Sequence, residues 1–66
     1  MKVIVNGETK EFQEETTLFE MISKLYLEGK VMAAAINMEI VKQDKWQETF
    51  LKEGDKIELL DFVGGG

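Results

Sequence analysis

The chain contains no cysteine, no histidine and no proline. Without cysteine there is no disulfide and no thiolate metal site to support the fold. Without histidine and cysteine the commonest general base and the strongest side-chain nucleophile are missing, so ordinary acid–base or covalent catalysis has no obvious carrier. No charged segment precedes a short apolar one, and no apolar run is long enough to span a bilayer. The chain therefore reads as cytosolic, with no membrane partner. Basic residues are few: 8 against 13 acidic ones, for a net charge of -5. Phosphate backbones repel such a chain, which argues against nucleic acid as a partner. The acids run from Glu8 to Asp61 with no clustering. They read as a solvated surface, or in part as the complement of a basic docking face on a partner.

The residues present describe a small soluble domain. With 44% hydrophobic and 32% charged residues the composition is that of a globular chain. A domain of this size buries only about 60% of the surface its unfolded form exposes, so the core is thin. One domain is expected over residues 1–63, with a glycine tail at 64–66.

Lys2-Val3-Ile4-Val5 is a β-favouring run. Asn6-Gly7 follows it, the dipeptide preferred by a type I′ turn because both central residues need φ above zero. Thr9 to Phe12 completes an N-terminal hairpin. Thr17 and Glu20 fit a capping box at the start of a helix. Leu18, Met21, Ile22 and Leu25 then recur at i, i+3, i+4 and i+7, one apolar stripe. The helix is expected from Thr17 to Glu28, with Gly29 as its natural stop. The alanine-rich run Val31–Asn37 reads as a buried strand from its length and its bounds, although alanine is a poor strand former. Ile40-Val41 is a short edge segment and Asp44-Lys45-Trp46 a single helical turn. Trp46 is expected to close one end of the core with its indole N–H turned outward to a partner. Thr49-Phe50-Leu51 is a further strand candidate, Glu53-Gly54-Asp55 a turn, and Lys56–Val63 the last strand.

Alternation in that last strand puts Ile57, Leu59, Asp61 and Val63 on one face and Glu58, Leu60 and Phe62 on the other. With Ile57 and Leu59 toward the helix, Leu60 and Phe62 lie on the opposite face, beside the tail. Two large apolar residues on a wet face suggest a docking patch, the alternative being scattered surface apolars. The tail itself is Gly64-Gly65-Gly66. A terminal glycine offers the least hindered carboxylate a protein can present, and glycines adapt to a narrow channel. Three of them reach roughly 10 Å. The alternative is an ordinary frayed end. The triglycine is no phosphate loop, because no strand-to-helix context follows it. The only group with a chemical role in view is the Gly66 carboxylate.

The order hairpin, helix, strands and glycine tail resembles the β-grasp sulfur carriers related to ubiquitin, and among them the ThiS family of thiamine biosynthesis. The resemblance covers the whole chain. Its middle portion lies in Ala35-Ile36-Asn37-Met38-Glu39-Ile40-Val41 with Trp46. Its end portion lies in Glu53-Gly54-Asp55-Lys56-Ile57 and Phe62-Val63-Gly64-Gly65-Gly66. Lys42-Gln43 stands where that family often carries Pro-Arg, which leaves Lys42 or Lys45 to supply the positive charge. The small subunit of molybdopterin synthase is similar but tends to be longer, with a Pro-Pro pair before its diglycine, and this chain has no proline.

The resemblance implies an α+β fold of the ubiquitin-like β-grasp type, a mixed sheet of four or five strands with one main helix on one face. The first and last strands would be parallel central neighbours. Val3, Val5, Leu18, Ile22, Leu25, Ile36, Ile57 and Leu59 are expected in the core. The resemblance further implies a protein cosubstrate, not an enzyme. An E1-like adenylyltransferase would use ATP to adenylate the Gly66 carboxylate. Sulfur from a cysteine desulfurase or sulfurtransferase would displace AMP and leave a thiocarboxylate, and thiazole synthase would take up the sulfur. The carrier itself would bind no cofactor or metal. Leu60 and Phe62 would dock the activating enzyme. The other readings are a sulfur carrier for another pathway, such as molybdopterin or another metabolite, and a ubiquitin-like interaction module with an inert or isopeptide-forming tail.

Overall fold

A computed structural model of the chain describes residues 1–61; Phe62, Val63 and Gly64, Gly65 and Gly66 lie outside the described residues. The element order is β1 (Lys2–Val5), β2 (Glu8–Glu11), α1 (Leu18–Lys24), β3 (Val31–Ile36), β4 (Glu39–Val41), a 3-10 helix (Gln43–Glu48) and β5 (Lys56–Asp61). The five strands form one mixed sheet in the order β2-β1-β5-β3-β4. β1 and β5 are parallel neighbours at its centre, as expected, and every other pairing is antiparallel. The fold is the expected β-grasp.

Two tight hairpins give the sheet its register. In the first, Asn6 and Gly7 have φ of 49° and 87°, so both occupy the left-handed region that a type I′ turn requires, and Val5 pairs with Glu8. The second joins β3 to β4 through Asn37 and Met38, with φ of 51° and 73°. It is the same kind of turn, with Ile36 opposite Glu39. Here methionine occupies a position that glycine would fill without strain.

The helix starts where its cap predicts. The Thr17 hydroxyl accepts from the Glu20 N–H at 3.1 Å, and Glu20 Oε1 accepts from the Thr17 N–H at 2.9 Å. It ends sooner than expected, at Lys24 with Leu25 as its C-cap, and Gly29 is not its stop. Tyr26 takes the left-handed position instead, with φ of 61°. The Leu27 N–H reaches back to the Ile22 carbonyl and the Tyr26 N–H to the Ser23 carbonyl, both at 3.0 Å. These two bonds are the Schellman pattern, which satisfies helix-end carbonyls that would otherwise lack partners. Gly29, with φ of 81°, serves the next turn, closed by the Lys30 N–H on the Leu27 carbonyl.

Leu18, Met21 and Ile22 of α1 pack on the face of the sheet formed by Val3, Val5, Val31, Ala34, Ile57 and Leu59, and Trp46 and Leu51 complete the core. Leu25 and Ile36 are half-buried against this cluster and are not part of its centre. Leu25 is the C-cap, at the end of the helix and of the stripe. Trp46 does close the core, but its indole N–H points inward and donates to the Val41 carbonyl at 2.9 Å. The expected strand at Thr49–Leu51 is a single bridge, Thr17 to Phe50. It ties this segment to the helix start through Leu18 N–H to Thr49 carbonyl and Leu51 N–H to Thr16 carbonyl. Among the described residues, no helix is long and apolar enough to cross a membrane.

Candidate functional site

The face of the sheet away from α1 carries an apolar surface, and its geometry follows from strand alternation. In β5, Ile57 and Leu59 are buried while Glu58 and Leu60 point the other way. Leu60 is 58% exposed, as the docking expectation requires. Register then decides its neighbours. Leu60 lies opposite Ala33 and Glu58 opposite Ala35, and across β3 Ala35 lies opposite Ile40. Ile40 is 79% exposed.

The result is a shallow depression lined by Asn6, Ala33, Ala35, Ile40, Glu58 and Leu60. Alanines form a low floor because a methyl group cannot fill the space between the taller Leu60 and Ile40. The alanine richness of β3, a handicap for strand propensity, is thus what hollows this face. Glu58 puts a carboxylate at the rim. Lys42 and Lys45 are both exposed just beyond β4, so positive charge is available past the Ile40 edge.

Leu60, the docking residue expected from the sequence, lies on this face, and Ile40, Ala33 and Ala35 beside it were not singled out there. The missing information was pairing: which strand lies beside β5 is a long-range property, and alternation within one strand cannot supply it. Phe62, the other expected docking residue, lies outside the described residues. So do Gly64, Gly65 and Gly66, the expected tail and modification site.

The backbone that leads toward those residues is held from both sides. On one side β3 pairs with β5 as far as Val31 opposite Asp61, with a register shift between Val31 and Ala33. On the other side the pairing of β1 ends at Val5 opposite Ile57. Beyond it, the Asn6 N–H donates to the Ile57 carbonyl at 2.9 Å. Asn6 Oδ1 accepts from the Leu59 N–H at 2.8 Å, and Asn6 Nδ2 donates to the Leu59 carbonyl at 3.3 Å. Nothing in the sequence pattern marked Asn6 as more than a turn residue.

The comparisons with known proteins agree with this architecture. The family model of the ThiS family matches residues 3–66. The sulfur carrier protein ThiS of Bacillus subtilis is 32% identical over 63 residues, covering 94% of this chain and 96% of that protein. A thiazole synthase of Paramagnetospirillum magneticum is 32% identical over 66 residues. That match takes in all of this chain but only 20% of the synthase, so the chain spans about a fifth of that relative. Among solved structures, the crystal structure of the thiamine biosynthesis protein ThiS from Geobacter metallireducens superposes with a TM-score of 0.81 at 30% identity, with both chains fully covered. A match of this extent, on a β-grasp sheet with a hollowed outer face, places the chain in the ThiS family of sulfur carrier proteins.

Proposed function

We propose that this chain is a cytoplasmic sulfur carrier of thiamine biosynthesis whose working group is the Gly66 carboxylate. The observation that carries this reading is the family match, which runs through the last strand and the glycines to residue 66. The chemistry explains why such a tail is useful. A carboxylate is a poor acyl donor, because its leaving group is oxide. Attack of a Gly66 carboxylate oxygen on the α-phosphorus of ATP expels pyrophosphate and gives an acyl-adenylate, whose leaving group is AMP. The terminal sulfur of a persulfide carried by a cysteine desulfurase or sulfurtransferase then attacks the acyl carbon and expels AMP, giving an acyl disulfide. A thiol reductant cleaves its S–S bond, ending as a disulfide with the donor cysteine and releasing the thiocarboxylate. The ATP belongs to the E1-like adenylyltransferase, and the carrier is a cosubstrate of that enzyme.

The fold has two tasks in this scheme. The core holds β5 so that the tail leaves the body from a fixed point, and the outer face, with Leu60 at its centre, docks the activating enzyme. Thiazole synthase is the proposed acceptor of the sulfur. The likeness to a stretch of the Paramagnetospirillum magneticum synthase supports that partnership, since a segment similar to this chain there shares one polypeptide with a thiazole synthase.

The test is mass spectrometry of the purified chain after incubation with ATP, a ThiS-activating adenylyltransferase and a sulfur source. Conversion is expected to add the mass difference between sulfur and oxygen, localised to the C-terminal peptide. Deleting Gly66 moves the carboxylate back by about 3.5 Å. Errors of ~1 Å in placement can cost about a hundredfold in rate. The deletion variant should therefore yield no thiocarboxylate while melting like the parent. A normal thiocarboxylate yield from it would overturn the assignment of Gly66.

A further inference from the structure

We propose that Asn6 is a positioning residue for the end of β5 from which the tail departs. The inference rests on the proposed carrier function for its consequence, but its structural part stands on the geometry alone.

β1 turns away at Asn6-Gly7, where φ of 49° and 87° take the backbone into the type I′ turn. A parallel neighbour that ended there would leave β5 unsupported on that side from Leu59 onward. Asn6 prevents this with its side chain. A carboxamide carries the same acceptor and donor as a peptide unit. Its Oδ1 takes the Leu59 N–H at 2.8 Å and its Nδ2 reaches the Leu59 carbonyl at 3.3 Å. The side chain therefore does what one more peptide of β1 would do, after the main chain has left.

The opposite side of β5 does not make this redundant. There the β3 ladder shifts register between Val31 and Ala33, the two residues that face Asp61 and Leu60. A bulge of this kind disrupts the ladder locally. From Leu59 to Asp61 the strand is thus held by an irregular neighbour on one side and by Asn6 on the other. This is the last described stretch before the glycines, so slack here is passed on to the reacting carboxylate. Orientation losses of this kind lower the rate of the bound complex more than its formation.

The sheet supplies its own control. Asn37 also sits at the first position of a type I′ turn, with φ of 51°, and also holds β5 through its carboxamide. It accepts from the Lys56 N–H at 3.0 Å, at the opposite end of the strand from Asp61. Glycine is at home in both turns. Asn6→Gly and Asn37→Gly each remove a carboxamide clamp on β5 without forcing the backbone to move. The first loosens the tail end and the second does not.

The experiment measures adenylation by ATP–pyrophosphate exchange with the activating enzyme, and backbone amide exchange by NMR, on both variants. Asn6→Gly is expected to lower kcat about tenfold and to speed exchange at Leu59 and Asp61, whatever it does to KM through its place at the edge of the depression. Asn37→Gly is expected to keep the parental kcat even where it melts earlier. Asn6→Asp retains the acceptor but sets a carboxylate oxygen against the Leu59 carbonyl, so it should not restore kcat. Equal kcat losses in the two glycine variants would mean general destabilisation and would overturn the proposal, as would a parental kcat in Asn6→Gly. If the parent chain itself is not adenylated, the carrier function fails, and amide exchange alone decides. Faster exchange at Leu59 confined to Asn6→Gly upholds the positioning role, and unchanged exchange there rejects it.

Discussion

Asn37 and Asp55 meet at the sheet end where β5 begins, with Asn37 Nδ2 donating to Asp55 Oδ1 at 3.0 Å. The other carboxylate oxygen, Oδ2, accepts from the Lys52 N–H at 2.8 Å. Asp55 is 8% exposed, and its two carboxylate oxygens take one donor each. One side chain thus closes the turn before β5 and joins it to the turn between β3 and β4.

Asp55→Ala is expected to leave those two donors unpaired. Stranded polar groups of this kind cost about 1–3 kcal/mol. Urea titration should show a lower midpoint with an unchanged slope, the pattern of lost stability without a change in the surface exposed. An unaltered midpoint would show that water replaces the carboxylate freely.

Tyr26 predicts the opposite sign. It is 87% exposed, so little packing is lost on its removal, yet its φ of 61° places an aromatic residue where the Schellman motif favours glycine. The left-handed region costs an L-residue about 1–2 kcal/mol. Glycine's greater freedom in the unfolded chain offsets about 0.4–1 kcal/mol of that gain. Tyr26→Gly should therefore stabilise the fold by about 0.5–1 kcal/mol, raising Tm by about 4–8 °C per kcal/mol for a domain this small. Met38, at φ of 73° and 95% exposed, should behave alike, because Met38→Gly creates the Asn-Gly pair of an ideal type I′ turn. A lower Tm in both variants would show that these side chains make contacts that offset their strain.

The helix stripe separates two residues that its periodicity treats as equal. Ile22 is 1% exposed at the centre of the core, whereas Leu25 is half-buried at the C-cap. Ile22→Ala should cost roughly 2–5 kcal/mol, the range for a fully buried aliphatic side chain. Leu25→Ala should cost less than half as much, since part of its surface never leaves water. Denaturant melts of the two variants that coincide would contradict the observed end of the helix.

The contrast between Ile22 and Leu25 shows what the sequence carries. Features with a local cause were legible: the Asn6-Gly7 turn, the Thr17–Glu20 cap, the alternation that buries Ile57 and Leu59 and exposes Leu60. Each depends on a few neighbouring residues and on backbone sterics. Features set by how the elements fold against one another were not. The helix ends at Lys24, and the left-handed position is taken by Tyr26 and not by Gly29, which no residue preference at Tyr26 announces. The Trp46 indole was expected to face a partner and instead meets the Val41 carbonyl, a bond that exists only once the 3-10 helix folds over β4. Asn6 read as a turn former because its second role needs Leu59, 53 positions away, to be delivered beside it. The hollow between Leu60 and Ile40 was hidden for the same reason.

Leu60 supplies the prediction that bears most directly on partner choice. It stands 58% exposed at the side of a depression floored by Ala33 and Ala35, so its truncation removes a projecting apolar group and leaves the core untouched. An anchor residue in a protein interface is commonly worth about 2 kcal/mol, or about thirtyfold in affinity. Leu60→Ala should raise KM for the carrier in ATP–pyrophosphate exchange by about that factor, with Tm close to the parental value. Ile40→Ala, on the opposite wall of the same depression, should act in the same direction. Phe50 is the matching control: it is 56% exposed, but it bridges to the helix start and does not line this surface. Phe50→Ala should leave KM unchanged. If all three variants raise KM alike, apolar surface in general and not this depression recruits the enzyme. If none does, docking runs through residues beyond Asp61, and the outer face of the sheet loses its assigned role.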